Sequence, residues 1–236
     1  MIAEQIHYKI PWRSRSSHPG HHLSQQKGGG LQFRHHVPLI DAPDPRRFDI
    51  RASLRDPFEQ IWVRVYQQTS SIPVYIVADL SASMSFIGAN TKTEVLAEFV
   101  ACMSYSAYRT GDRFGFIGCS DKFSEPLILP ATLNRASGLE LAKRLRTTPA
   151  QGTNSEGLLG AADFLGSRRA LVFLLSDFHF PLTLLEKILG SLAYHDVVPV
   201  MQWDRQEYED LPNFGIARIT DPETRQHRLL VMRPNL

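Results

Sequence analysis

Val74-Tyr75-Ile76-Val77-Ala78-Asp79-Leu80-Ser81-Ala82-Ser83-Met84 is the stretch that decides how this chain folds. A β-branched apolar run stops at an aspartate, and two hydroxyls follow at alternate positions. An unbroken apolar run of strand length is the mark of a strand covered on both faces, as in a parallel sheet. In such sheets ligands gather in the loops beyond the carboxyl ends of the strands. An acid and two serines placed there form a compact oxygen-rich group, the hard donors that Mg²⁺ prefers.

Outward from this strand the pattern alternates. Helical spacing predicts a helix over Thr93 to Arg109, with Leu96, Phe99, Val100, Met103 and Ala107 on one face and Gly111-Asp112 as its stop. Arg113 to Cys119 is a predicted strand, Leu127 to Leu129 a short edge strand before Pro130, and Asn134 to Arg146 a helix. A helix over Ser155 to Leu165, a strand over Ala170 to Leu175, a helix over Leu182 to Tyr194 and a strand over Val197 to Gln202 complete the series. The fold class expected is α/β, a doubly wound and mostly parallel sheet flanked by helices. Asp221-Pro222-Glu223-Thr224 is a turn signal between Ile216–Thr220 and Arg228–Met232, which predicts a C-terminal β-hairpin.

Before residue 70 the character differs. Arg, Ser, His, Gly and Gln dominate up to Leu31, and Gly28-Gly29-Gly30 reads as a flexible joint. Ile61 to Tyr66 reads as a strand, and Gln67-Gln68-Thr69-Ser70-Ser71 as a polar connector. The expected organisation is therefore a partly irregular extension over 1–70, the α/β domain over 71–205, and a hairpin packed on it over 206–236.

Two later strand-end loops supply matching groups. Thr153 lies in Gln151-Gly152-Thr153-Asn154, where the glycine lets the backbone approach closely, and Asp177 follows the apolar strand that ends at Leu175. Taken singly, Asp79, Ser81 and Ser83 would serve as a polar turn, Thr153 as a turn hydroxyl and Asp177 as a cap before Pro181. Taken together, the three hydroxyls and two carboxylates bring two negative charges to one cation and leave room for an outside oxygen. Asp79, Ser81, Ser83, Thr153 and Asp177 are the candidate metal ligands. No catalytic residue is assigned.

Asp-x-Ser-x-Ser, the Gly-Thr loop and the aspartate after a hydrophobic strand resemble the metal-ion-dependent adhesion site of the von Willebrand factor type A family, over residues 71–205. What the resemblance implies is a doubly wound fold, one Mg²⁺ (Mn²⁺ and Ca²⁺ being the alternatives), and a partner's acidic side chain completing the coordination. Asp44-Pro45-Arg46-Arg47-Phe48-Asp49-Ile50-Arg51-Ala52-Ser53-Leu54-Arg55 is similar to a signature of bacterial A-domain proteins associated with MoxR-type AAA+ ATPases. Ser176-Asp177-Phe178 and Asp204-Arg205-Gln206-Glu207 with Leu211-Pro212 also match that group, although Phe48 and Ile50 stand where Ile and Trp are usual. A MoxR-type AAA+ ATPase, or its client protein, is the partner implied.

Composition narrows the alternatives. A net charge of +2 on 236 residues gives no reason to expect nucleic acid as a partner. Apolar runs stop at strand length, and the N-terminus lacks a secretory pattern, so no membrane insertion and a cytoplasmic location are expected. Cys102 and Cys119 fall in a predicted helix and strand without metal-ligand spacing, which suits a reduced pair. His21-His22 and His35-His36 are adjacent pairs that cannot face one ion from one element, so a solvated segment is expected. Arg46, Arg47, Arg51 and Arg55 alternate with Asp44, Asp49 and Asp56, which favours internal ion pairing over phosphate binding. A phosphatase of the haloacid dehalogenase type would also place an aspartate at the end of this strand, but it needs a second acid where Ser81 stands. Ser81 and Ser83 lack the glycine-flanked elbow of a serine hydrolase. A scaffold without metal is the remaining alternative to a binding module.

Overall fold

The computed structural model describes residues 5–14, 20–86, 88, 91–121, 127–147, 152, 154–207, 214–220 and 227–232. The chain divides into two compact units, Lys9–Ile72 and a larger one of Met1–Tyr8 with Pro73–Leu236.

The smaller unit is built on β1 (His22–Pro38), the short helix α1 (Ile50–Leu54) and β2 (Trp62–Ser70). The two strands pair antiparallel from His22 opposite Ser70 to Pro38 opposite Trp62. This corrects two expectations, since the glycine run lies inside a strand and Gln67 to Ser70 is strand and not connector. Polar side chains do not forbid pairing when a neighbouring strand offers its backbone groups, and buried Val63 and Val65 anchor β2. The glycines leave their trace in the register, because Lys27 and Gln32 both face Gln67.

Asp49 ties this unit together. Its Oδ1 accepts from the N–H groups of Arg51 and Ala52, 3.1 Å each, capping α1. Its Oδ2 accepts from Arg64 Nε at 2.6 Å and meets His36 Nε2 at 2.9 Å. The buried aspartate therefore joins β1, α1 and β2, and His36, though exposed to solvent, is tied to it by that contact. Of the arginine run, Arg47 pairs with Asp44 at 3.1 Å, whereas Asp49 takes its arginine from β2. The Arg64 and His36 hydrogen bonds hold the Asp49 carboxyl well below the usual carboxylate range. A depressed folded pKa gives stability that is complete above the unfolded value, about 3.9, and is lost as pH falls below it. Acidification below about pH 4 is thus expected to lower the amide protection factors at Arg51 and Ala52, and Asp49→Ala should show that low protection already at neutral pH.

The larger unit carries β3 (Pro73–Asp79), α2 (Lys92–Arg109), β4 (Arg113–Cys119), β5 (Leu127–Thr132), α3 (Arg135–Thr147), β6 (Leu171–Ser176), α4 (Leu182–Ser191) and β7 (Asp196–Met201). Strand order is β5-β4-β3-β6-β7, all parallel except the antiparallel edge strand β5. The chain lays β4 on one side of β3 and later β6 on the other, so the order reverses at β3/β6 and opens a crevice at their carboxyl ends. Asp79 closes β3 and Asp177 follows β6, both at that crevice.

Alternation along the strands divides the core. Tyr75, Val77, Ile117, Val172 and Leu174 pack with Leu158, Ala161, Ile188 and Leu192 from the 3₁₀ segment Glu156–Phe164 and α4. The opposite set, Val74, Ile76, Phe116 and Phe173, faces the α2 side, where Leu96, Val100, Met103 and Ala107 are buried. The Phe99 and Phe173 rings meet edge-on, centroids 5.9 Å apart.

Glu156–Phe164 differs from the α-helix expected there. Gly157 donates to the Ser120 carbonyl at 2.9 Å, and a Cβ on it would lie 2.4 Å from that oxygen. This close docking holds the segment's start against the loop after β4. β5 also runs past Pro130 to Thr132, which an edge strand tolerates. On the other edge, the N–H groups of Asp196 and Gln202 bond toward β6, so alternation turns position 199 outward. Pro199 there lacks the N–H that another chain could use. At the C-terminal end β8 (Gly215–Thr220) and β9 (His227–Met232) form the expected antiparallel pair. Among the described residues no helix is long and apolar enough to cross a membrane.

Candidate functional site

The β3 run ends where its last side chain, Asp79, turns into the crevice with no exposed surface. Asp79 Oδ1 accepts from the N–H of Ser81 at 2.9 Å. Its Oδ2 accepts from the hydroxyls of Ser155 and Ser176, 2.8 Å each. These donors are neutral, and burial pushes the Asp79 carboxyl up from its ordinary value against the lowering effect of the hydrogen bonds. Burial, with the Asp79 charge nearby, also pushes the Cys119 thiol up to about 12. Cys119 is a free thiol.

Beyond Asp79 a 3₁₀ turn, Ala82–Ser85, with Ser81 as its N-cap, brings the two serines together. Ser81 Oγ and Ser83 Oγ are 3.1 Å apart and both residues are buried. Adjacent ligands of an octahedral Mg²⁺ at about 2.1 Å stand about 3.0 Å apart. The hydroxyl pair therefore has the spacing of two neighbouring ligands. A buried carboxylate served by neutral donors, beside two correctly spaced hydroxyls, fits a divalent cation.

Thr153 lies outside the described residues. Its neighbours show how the segment is held. Gly152, at φ 150°, accepts from the N–H of Ala82 at 3.1 Å, and the N–H of Asn154 donates to Asp121 Oδ1 at 2.9 Å. Ser155 then reaches Asp79. Gly152 and Ser155 are thus each bonded to the Asp79 loop.

Asp177 is positioned by a strained turn. Phe178 takes φ 57°, a left-handed conformation that a residue with a Cβ adopts at a cost of about 1–2 kcal/mol. Its N–H donates to Ser176 Oγ at 2.9 Å, and its ring packs on the core and on Phe180. That packing offsets the strain and fixes Asp177 next to the serine that serves Asp79.

The Asp177 carboxylate meets a residue that the ligand pattern did not include. Lys92 Nζ donates to Asp177 Oδ2 at 2.8 Å and to Glu207 Oε1 at 2.7 Å, with the lysine side chain 4% exposed. Burial raises the Asp177 carboxyl, but the Lys92 hydrogen bond and charge more than offset this and hold it low. Lys92 is desolvated too, and its two carboxylates keep it protonated. Asp177, His179 and Glu207 are grouped closely enough to hold an ion, but the ammonium already lies between two of them.

Of the five candidate ligands, Asp79, Ser81 and Ser83 converge, Asp177 stands at the same crevice in an ion pair, and Ser155, Ser176, Lys92 and Glu207 join them. One signal for Lys92 was present in the sequence. A cation in the first turn of a helix opposes the macrodipole, so a lysine directly after the Thr91 cap called for a local anion.

Three comparisons bear on the chain. A family profile described as "Protein of unknown function DUF58" matches residues 43–235. No curated protein matches. Among solved structures, similarity extends to an aerotolerance-related membrane protein from Bacteroides fragilis, at 15% identity over 70% of this chain and 83% of that one, TM-score 0.44. The von Willebrand domain of the type V pili tip protein Mfa5 from Porphyromonas gingivalis matches at 27% identity over 45% of this chain and 38% of that one, TM-score 0.34. The pilus adhesin SpaC from Lactobacillus rhamnosus GG matches at 19% identity over 45% and 14%, TM-score 0.37. The chain spans less than half the length of either pilus protein.

Proposed function

We propose, for a chain that belongs to the DUF58 family, that it is a protein-interaction module whose grip depends on a divalent cation. The von Willebrand A-like sheet supplies the crevice, and one observation carries the cation: Asp79 is a fully buried carboxylate served by neutral donors, beside hydroxyls 3.1 Å apart. Asp79, Ser81 and Ser83 would hold Mg²⁺, with Thr153 and Asp177 contributing from their loops. A site with so few negative ligands would leave Mg²⁺ its Lewis acidity, and an acidic side chain of the partner would supply the remaining oxygen. The chain's own residues set the geometry, exclude bulk water and perform no bond-breaking step. Ser81 has no useful acid–base chemistry at the place where a phosphatase needs an acid.

The partner proposed is a MoxR-type AAA+ ATPase or the client it remodels, supported by the Asp44–Arg55 signature. Within that group Trp12-Arg13-Ser14-Arg15 with Pro19-Gly20 resembles MxaS of methanol-oxidation gene clusters, which makes methanol dehydrogenase the first client to test. The Lys92–Asp177–Glu207 cluster favours one other possibility, a scaffold in which the ammonium is the resident cation. Co-purification from the native source with Mg²⁺ and with EDTA separates the two. Retention of an ATPase or client by wild type in Mg²⁺ only, and its loss in Asp79→Ala, is the expected result; equal retention in EDTA would exclude the metal.

A further inference from the structure

We infer that Lys92 is a built-in competitor of the divalent cation: its ammonium holds the cation side of Asp177, Glu207 keeps it there, and the site takes metal as that pair opens. This rests on the metal reading of Asp79, Ser81 and Ser83.

Lys92 is placed against its own interests. It is the first residue of α2, where the helix dipole repels a cation, and it is almost fully buried, where an ammonium loses hydration. Two carboxylates, with the Phe86 ring 5.8 Å from its Nζ, make that position tolerable. Their effect on the site is a matter of charge. With Lys92 on Asp177, a divalent ion arriving at Ser81 and Ser83 meets one uncompensated carboxylate, Asp79, and a cation close by. With Lys92 gone from Asp177, it meets two carboxylates.

The latch is incomplete by construction. Glu207 Oε1 takes the lysine, but among the described residues its buried Oε2 meets no hydrogen-bond partner, which leaves the carboxylate half satisfied by them. Glu207 is carried on a three-residue 3₁₀ turn, Arg205–Glu207, the kind of short element that shifts at small cost. The lysine also has somewhere to go. Lys92 lines a groove of about 260 Å³ with Phe99, Val200 and Trp203, and Asp204 on the same groove, whose Oδ1 accepts from the Gln206 N–H at 2.8 Å, offers another carboxylate oxygen. Release of Asp177 to metal therefore moves a buried ammonium from one acid to another and does not strand it. Trading a resident ammonium for a metal makes affinity adjustable by whatever holds Glu207.

The test is Mn²⁺ titration of the full chain by isothermal calorimetry, with circular dichroism to confirm folding. Lys92→Met/Glu207→Gln removes the competitor together with one of the two carboxylates it would strand, leaves Asp177 to the metal, and is expected to bind Mn²⁺ at least tenfold more tightly than wild type. Glu207→Gln alone, which keeps the lysine but loosens it, should bind roughly threefold more tightly. Affinities within twofold of wild type in both variants, with binding abolished by Asp79→Asn, would overturn the competitor role while leaving the metal site intact. Absence of Mn²⁺ binding at millimolar concentration in wild type and variants alike would overturn both.

Discussion

Lys92→Met, unfolded with urea in EDTA, is expected to lose about 3–5 kcal/mol of stability relative to wild type. The cost does not come from the worth of the ion pairs. Buried pairs return little net energy, because desolvating both partners consumes most of the attraction between them. The loss comes from what remains: Asp177 and Glu207 stay buried, with side-chain exposures of 2% and 12%, and no ammonium between them. Two carboxylates that shared one cation then repel each other in a medium that screens poorly. Adding Asp177→Asn and Glu207→Gln to Lys92→Met should recover most of the loss, since neutral amides carry no charge to strand. A Lys92→Met midpoint equal to wild type would show that the cluster is open to solvent in solution.

Asp79→Asn should divide stability from metal response. Without metal the variant is expected to be as stable as wild type or more so, because the change removes a charge whose burial is unfavourable, as the raised Asp79 carboxyl indicates. The amide oxygen can still accept from Ser81 N–H, and the Ser155 and Ser176 hydroxyls can rotate to accept from the new NH₂. Adding Mg²⁺ at 100 times its dissociation constant should stabilise wild type by about 2.7 kcal/mol and the variant hardly at all. Melting curves in EDTA and in Mg²⁺ read both effects. An equal Mg²⁺ shift in the two proteins would remove Asp79 from the site.

Much of the fold was legible because it rests on local rules. The β-branched run before Asp79, the 3.6-residue spacing of Leu96, Val100, Met103 and Ala107, and the Gly111-Asp112 stop each act over a few residues. Their elements appear within a residue or two of expectation. The N-terminal strand was hidden for the opposite reason. Nothing between His22 and Leu31 alternates in hydrophobicity, and its structure depends on β2, about forty residues away, for backbone hydrogen bonds. The 3₁₀ winding of Glu156–Phe164 was hidden likewise, since Gly157 is pressed on the Ser120 carbonyl from a distant loop.

At the crevice the division is sharper. By itself the sequence determined that an acid and two hydroxyls end a buried strand and that another acid ends a second one, because strand periodicity and parallel topology send both to one edge. Only the tertiary structure decided how those acids are compensated. Asp79 is left to neutral donors, while Asp177 is matched to Lys92 and through it to Glu207, residues 85 and 115 positions apart from that lysine. Charge pairing in a buried site depends on distance in space and on exclusion of water, and neither is written in the local pattern of a chain.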